Sequence, residues 1–359
     1  MTEPAGQRHR VGIAGAGAIA FASAAWLRQA GHTVTLWSPG GQGAEALRKR
    51  PLEAGGVLAC RVSVEVADDA AQLCQAADVL LLALPVNGHR RVMDALLPFL
   101  RDGQMVIVSS MASLSSLYLY ENARQVGLRI TVASFGTTVL TARRESATLV
   151  RVMTRRQAVG VSALPGGDVG KVLDLCTALF GGSFFAQDNT LASALANVNP
   201  QSHGPLAVFN WTRIERAENW PQYHCMTPGV ARAIEALDLE RRAVARAFGL
   251  ELGPIEAHFA RSFGTASARL EDIAAELHAK RGGPPGPVRT DTRYVSEDMP
   301  YGLAFVEALG RIAGVPTPAT RTIVDAASLV NGIDYRQQND LLAPLGLAKE
   351  TVAGLLARL

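Results

Sequence analysis

Residues 10–37 read RVGIAGAGAIAFASAAWLRQAGHTVTLW. Residues 10–15 form a short apolar run that ends in glycine. Helical spacing follows at once through Ala20, Ala24, Trp26 and Leu27. A second apolar run, Thr33–Trp37, comes after the turn residues Gly31 and His32. Strand, helix and strand inside about 28 residues is the length of a βαβ unit. Within it, Gly15-Ala16-Gly17-Ala18-Ile19-Ala20 fits G-x-G-x-x-(G/A), after a strand and at a helix start, which is the context the motif requires. Gly15 permits the tight turn, Gly17 lets the backbone approach a pyrophosphate, and Ala20 lets the helix pack closely on the strand. The helix start, at Ala18 and Ile19, supplies unpaired N–H groups and partial positive charge for phosphates. The segment predicts a dinucleotide-binding α/β domain.

The surrounding sequence extends that pattern. Strand-like runs recur at Val79–Leu84, Met105–Ser109, Arg129–Ala133 and Thr148–Met153, with a helical stretch at Asp68–Gln75. Alternating strands and helices predict a mostly parallel sheet covered on both faces. Gly167–Phe180 reads as a last helix and Ser183–Ala186 as a last strand. Beyond Gln187 the strand signals fade. Helices are expected at Val230–Ala247, Glu251–Phe259, Ala266–Ala279, Tyr301–Ala313, Pro318–Asn331 and Lys349–Leu359, with a Gly/Pro loop at 282–287. The expected organisation is a Rossmann domain at 1–187 and an all-α domain at 188–359.

Composition narrows the function. Of 359 residues, 48% are hydrophobic and 19% charged, which suits a globular chain rather than a disordered one. Aromatics at 6% argue against stacking platforms for single-stranded nucleic acid. A net charge of +3 is too even for a broad basic field, so no nucleic-acid partner is expected. The N-terminus MTEPAGQRHR has no apolar core of a signal peptide, and the longest apolar run, Val79–Val86, is too short to span a bilayer. A cytoplasmic protein with no membrane partner is expected. Cys60, Cys74, Cys176 and Cys225 form no CxxC pair, so they read as free thiols and no metal site is expected.

The second strand reads VTLWSPGG. A carboxylate usually sits at its end when the ribose carries a free 2′-OH. Here Trp37 or Ser38 falls there, with no acid to repel a 2′-phosphate. Ser38 has a hydroxyl to donate, and Arg48, Lys49 or Arg50 are nearby cations. NADP is therefore the preferred cofactor, with NAD the alternative. Pro85 and Asn87 end the Val79–Leu84 strand and are expected near the nicotinamide ribose. Thr138 and Arg143, in GTTVLTARR, are expected in a strand-end loop that meets substrate.

Two segments of the second half carry chemistry. Residues 197–215, NVNPQSHGPLAVFNWTRIE, place Asn197, Asn199 and His203 just before an apolar helical run, with His203 expected to be accessible at a helix start. Asn197 and Asn199 either orient His203 or the nicotinamide amide, or make local turn bonds. Residues 293–302, RYVSEDMPYG, place Arg293, Glu297 and Asp298 within six residues, just before a helix led by Pro300.

Taken together, the sequence resembles the NAD/NADP octopine–nopaline (opine) dehydrogenase family. The likeness lies in GAGAIA, in N-x-N-x-x-x-H-x-P ending at His203 and Pro205 with FNWTRIE after it, and in RYVSEDMPYGL. LGRIAGVPTPAT (309–320) and GIDYR (332–336) extend it over nearly the whole chain. The resemblance implies a catalytic pair, His203 and Asp298, and a carboxylate-orienting Arg293. It implies reductive condensation of an amino acid or amine with a 2-oxo acid, by hydride transfer to an imine, in a cleft between domains; a homodimer is a further possibility. Family members often have an aromatic-containing element where this chain has Val139 and Leu140, which bears on amino-acid selectivity. Two rival readings fit the sequence less well. A ketopantoate reductase or 3-hydroxyacid dehydrogenase needs a lysine in the second half, several residues before an Asn. Only Lys280 and Lys349 lie there, and neither has an Asn four residues on. A dinucleotide-binding sensor without turnover would have little reason to carry His203, Arg293 and Asp298 together.

Overall fold

A computed structural model describes residues 8–281 and 284–359. The chain divides into two compact units, one running to Ala194 and the other covering Leu195–Arg358, with Leu359 grouped with the first.

The first unit runs β1 (Arg10–Ala14), α1 (Ala18–Gln29), β2 (Thr33–Trp37), β3 (Leu52–Gly56), β4 (Cys60–Val62), β5 (Glu65–Val66), α2 (Ala70–Ala76) and β6 (Val79–Leu82). It continues with α3 (His89–Leu96), β7 (Met105–Val108), α4 (Ser115–Gln125), β8 (Thr131–Phe135), β9 (Leu140–Arg144), β10 (Leu149–Arg155), β11 (Ala158–Leu164), α5 (Val169–Phe180) and β12 (Ser183–Ala186). Eight strands form one sheet in the order β12-β11-β8-β7-β6-β1-β2-β5. All its pairings are parallel except β8 with β11. The central strand β6 is buried along its whole length, and β1 from its second residue onward. That is why both read as continuous apolar runs rather than as an alternation.

A second sheet, β4-β3-β10-β9, was not expected. The segment around 148–153 is a strand, but it belongs to this smaller sheet. Beside β8 the main sheet takes β11 instead, antiparallel. The strand β4 has only three residues and β3 five, two of them glycines, so neither is long or apolar enough to stand out in the sequence. The small sheet explains α1. That helix packs on β2 and also on β3, β4, β9 and β10, so residues 20–25 are buried all the way round. A helix between two sheets needs small side chains on both flanks, and Ala20, Ala22, Ser23, Ala24 and Ala25 supply them.

The helix α6 (Thr190–Leu195) crosses the division between units. The second unit contains α7 (Asn199–Val208), α8 (Trp211–Glu215), α9 (Pro228–Ala247), α10 (Ile255–Phe263), α11 (Leu270–Arg281), α12 (Arg293–Ser296), a π-turn at Met299–Leu303, α13 (Ala304–Ala313) and α14 (Pro318–Asn331). Near the C-terminus only a short helix, Val352–Leu356, forms where a longer one was expected. The helix α9 is central. Ile234, Leu237 and Val230 join its core with Ile255, Ile273, Val324 and Leu303. Its polar residues tie neighbours down. Buried Asp238 accepts from Arg241, Arg242 and the Ile255 N–H, and Glu240 accepts from the Ala319 and Thr320 N–H groups at the start of α14. Among the described residues, no helix is long and apolar enough to cross a membrane.

Candidate functional site

The glycine turn is built as its sequence demands. Gly15 has φ +137°, and a Cβ there would collide with the Ala83 carbonyl oxygen at the end of β6. Only glycine tolerates both conditions. Gly15 N–H donates to Trp37 O at 2.9 Å, which ties the turn to the end of β2. Gly17 is the N-cap of α1, has no side-chain cap, and has open space where a Cβ would stand. The first turn of α1 contains no acid. The N–H groups of Ala18 and Ile19 lie before the helical hydrogen-bond ladder begins, and no acceptor meets them among the described residues. Free amides, a positive helix end and a clear approach fit the pyrophosphate of a dinucleotide.

Other sequence-derived residues of this unit lie as follows. Ser38 follows β2 directly, and its Oγ accepts from Gly43 N–H at 3.1 Å, leaving its own hydrogen to donate. Arg48 is not a free cation, since it pairs with Asp68 at 2.5 Å and with Glu45 at 3.1 Å. Pro85 and Asn87 are exposed just beyond the carboxyl end of β6, in and before a short 3₁₀ turn. Thr138 precedes β9 and bonds locally, donating to Leu140 O at 2.7 Å. Arg143 lies on β9 itself and not in a loop, because residues 140–144 pair with β10; its side chain is exposed.

Sequence reasoning missed the strained loop after β7. Ser110, Ser113 and Leu114 have φ of +61°, +49° and +56°. Residues other than glycine in this region cost about 1–3 kcal/mol each. Buried His89 braces this loop. Its Nε2 donates to Leu84 O (3.1 Å), so its Nδ1 accepts from Ser115 Oγ (2.9 Å). The ring is thus a neutral strut between the end of β6 and the start of α4, and burial pushes its pKa down to about 4.

In the second unit, His203 lies inside α7 rather than at its start. The helix begins earlier because Pro200 suits its first turn. The imidazole is mostly enclosed, with 13% of its side chain exposed. Its Nδ1 is 2.8 Å from Asp298 Oδ2, and Asp298 is 3% exposed. A carboxylate oxygen can only accept, so the Nδ1 proton points at Asp298 and Nε2 is the nitrogen left for chemistry. Two glycines make this approach possible. A Cβ on Gly302 would strike Pro200, and one on Gly204 would come within 2.7 Å of Leu303 Cδ1. One glycine lies on each element, so the π-turn that follows Asp298 seats directly on α7. π-Turns of this kind concentrate at functional sites.

Tyr294 completes the arrangement. Its ring stacks on His203, with centroids 3.7 Å apart and planes 4° from parallel. Its hydroxyl donates to Gln222 Oε1, and burial, followed by the charge of Asp298, pushes its pKa up. From the sequence alone, Tyr294 reads as core or cleft wall rather than as part of a site. The adjacent R-Y before E-D was the available signal, but stacking is a matter of geometry. Arg293, on the same short α12, is exposed, with Nε 3.8 Å from Glu297 Oε2. Asn197 accepts from Asn199 N–H at 3.1 Å, the local turn bond. The structure therefore joins His203, Asp298 and Tyr294 directly, while Arg293 and Asn197 stand on the flanking segments.

Comparison with known proteins agrees with this architecture. Residues 186–331 match the family model described as NAD/NADP octopine/nopaline dehydrogenase, alpha-helical domain. Residues 10–113 match that of NADP oxidoreductase coenzyme F420-dependent. The chain is 27% identical over 348 residues to the opine dehydrogenase of Arthrobacter sp. (strain 1C), covering 96% of each protein. Octopine dehydrogenase, solved with NADH and L-arginine, shares the fold with a TM-score of 0.77 at 18% identity, covering 96% of this chain and 97% of that one. Yersinopine dehydrogenase with NADP+ bound shares it with a TM-score of 0.71 at 16% identity, covering 96% and 99%.

Proposed function

The chain belongs to the NAD/NADP octopine/nopaline dehydrogenase family, and we propose that it joins the amino group of an amino acid or amine to a 2-oxo acid, reducing the resulting imine to a secondary amine. It is an NAD(P)-dependent oxidoreductase of the opine dehydrogenase type. In the proposed roles, residues 1–187 form the dinucleotide-binding domain and residues 188–359 the helical substrate domain, each lending a few residues to the other's ligand. Gly15, Gly17, Ala18 and Ile19 hold the pyrophosphate, Ser38 meets the adenosine ribose, and Pro85, Asn87 and Asn197 serve the nicotinamide end. The absence of a carboxylate after β2 supports NADP over NAD. A cytoplasmic setting, where reduced cofactor is plentiful, and a homodimer are part of the same reading.

The observation that carries the chemistry is the 2.8 Å contact between His203 Nδ1 and Asp298. Condensation of an amine with a ketone needs the amine deprotonated, the carbonyl oxygen protonated and water expelled. Imidazole exchanges protons near neutral pH and suits all three tasks. Nε2 of His203 takes the proton from the attacking ammonium and returns it to the departing hydroxyl. Asp298 holds the tautomer that keeps Nε2 free and stabilises the cation while Nε2 carries a proton. Arg293 offers a planar fork to a substrate carboxylate, with Thr138 and Arg143 as further substrate contacts. The dinucleotide, when bound, supplies the hydride that reduces the imine carbon. One amine, one 2-oxo acid, one reduced cofactor and one proton yield the secondary amine, water and oxidised cofactor.

The test follows NADPH absorbance as pyruvate and a panel of amino acids and amines are added together. Turnover should need both partners. His203→Ala should lower turnover by about two to four orders of magnitude, the usual loss for a general acid/base, with NADPH affinity nearly unchanged. Turnover with an oxo acid alone, or equal loss of cofactor affinity in the variant, would refute the assignment.

A further inference from the structure

Of the adjacent pair Arg143 and Arg144, it is Arg144 that reaches the glycine turn. Its Nη1 donates to Ala16 O at 2.6 Å, its Nε to Ser146 O at 2.9 Å and its Nη2 to Ala147 O at 3.3 Å. Its Cζ lies over the Phe21 ring, 4.3 Å from the centroid, so the guanidinium packs against a residue of α1. Every acceptor is a neutral carbonyl. Arg144 forms no ion pair among the described residues, and the first turn of α1 contains no acid to offset it. Three of its five N–H groups are used, which leaves two as donors. The result is a cation whose direction is fixed and whose charge is not neutralised. Arg48 is the opposite case, held between Asp68 and Glu45.

The neighbourhood says which part of a dinucleotide this cation faces. A Cβ built on Gly43 would come within 2.6 Å of Ala16 Cβ and 2.7 Å of Ser38 Oγ. Gly43 therefore lets Ala16 and Ser38 become neighbours, and Arg144 grips the Ala16 carbonyl. The end of the second strand is where this fold meets the 2′ position of the adenosine ribose.

We propose that Arg144 recognises the 2′-phosphate of NADP, with the Ser38 hydroxyl beside it. This rests on the dinucleotide site read above, and it gives to Arg144 the part that residues 48–50 had in the sequence reading. A guanidinium fork matches phosphate oxygens in geometry as well as charge. Phe21 and the three carbonyls pre-organise it, so little side-chain freedom is left to lose on binding.

The experiment is equilibrium binding, by calorimetry or quenching of tryptophan fluorescence. It compares wild type, Arg144→Gln and Arg144→Lys against NADPH, NADH, 2′,5′-ADP and 5′-AMP. The readout is the ratio of NADPH to NADH affinity, which a general weakening of the turn does not change. Arg144→Gln should lower that ratio by about tenfold or more, in keeping with loss of a charge-assisted phosphate contact. 2′,5′-ADP should weaken in parallel and 5′-AMP stay within about twofold. Arg144→Lys keeps the charge but not the fork and should fall between. A ratio unchanged in both variants overturns the assignment of Arg144 and leaves the dinucleotide site standing. Wild-type protein that binds neither dinucleotide overturns the site itself and this inference with it.

Discussion

Tyr294 covers one face of the His203 ring, and its own hydroxyl is anchored on buried Gln222. The imidazole plane is therefore set from two directions, by the stack and by the in-plane bond to Asp298. A ring free to rotate would spend only part of its time with Nε2 aimed at substrate, and misalignment of this kind lowers turnover without lowering affinity. Tyr294 is accordingly a positioning residue. Tyr294→Leu should lower kcat by about tenfold or more while KM changes little, and Tyr294→Phe, which keeps the stack, should recover most of that loss. Steady-state kinetics of both variants check this. A loss confined to KM, or no recovery in Tyr294→Phe, would place the tyrosine in substrate binding or in folding instead. At this scale much was legible. His203, Asp298 and Arg293 stood out because their motifs are specific. Tyr294 did not, because an aromatic residue beside a charged one usually signals ordinary packing. Arg144 did not either, because its use depends on which way β9 runs past the glycine turn.

At the scale of elements, the two catalytic candidates meet because α7 and the π-turn touch through Gly204 and Gly302, and no pattern along the chain encodes that contact. The first unit has a comparable join at His89, whose ring links β6 to α4. Here pH gives a handle. The folded pKa is near 4, below the ordinary value of about 6.5. The unfolded chain therefore takes up this proton first as pH falls, and the stabilising difference is lost between about pH 6.5 and pH 4. A shift of that size corresponds to about 3 kcal/mol. His89→Gln, which retains a donor and an acceptor, should flatten the decline in unfolding free energy across that window. Urea titrations at several pH values measure it. An identical slope in wild type and variant would show that other groups carry the acid sensitivity. The small second sheet was the main element missed. Its strand β10 reads as a strand in the sequence, but nothing along the chain shows that it joins β3, β4 and β9 in a sheet of their own over the flank of α1.

Among the described residues, one buried apolar cluster gathers around the sheets and α1 in the first unit and another around α9 in the second. A core within each unit permits a cooperative transition for each. The proposed dinucleotide contacts of the glycine turn belong to the first. NADPH at about 100 times its Kd should stabilise that unit by about 2.7 kcal/mol and raise its transition, with a smaller effect on the helical unit. Scanning calorimetry with and without NADPH tests this, and an effect confined to the helical transition would contradict the site assignment. By itself the sequence determined that a dinucleotide-type α/β half precedes a helical half, and which imidazole and carboxylate to suspect. The first is a property of local periodicity and turn chemistry, and the second follows from the family resemblance of the motifs. Only the tertiary structure decided that Asp298 comes to Nδ1 of His203 across 95 residues of chain, that Tyr294 clamps the ring, and that Arg144 rather than Arg48 is left with an unspent charge. Each depends on distances between segments remote in sequence, which are set by packing and by the absence of a Cβ at a few glycines.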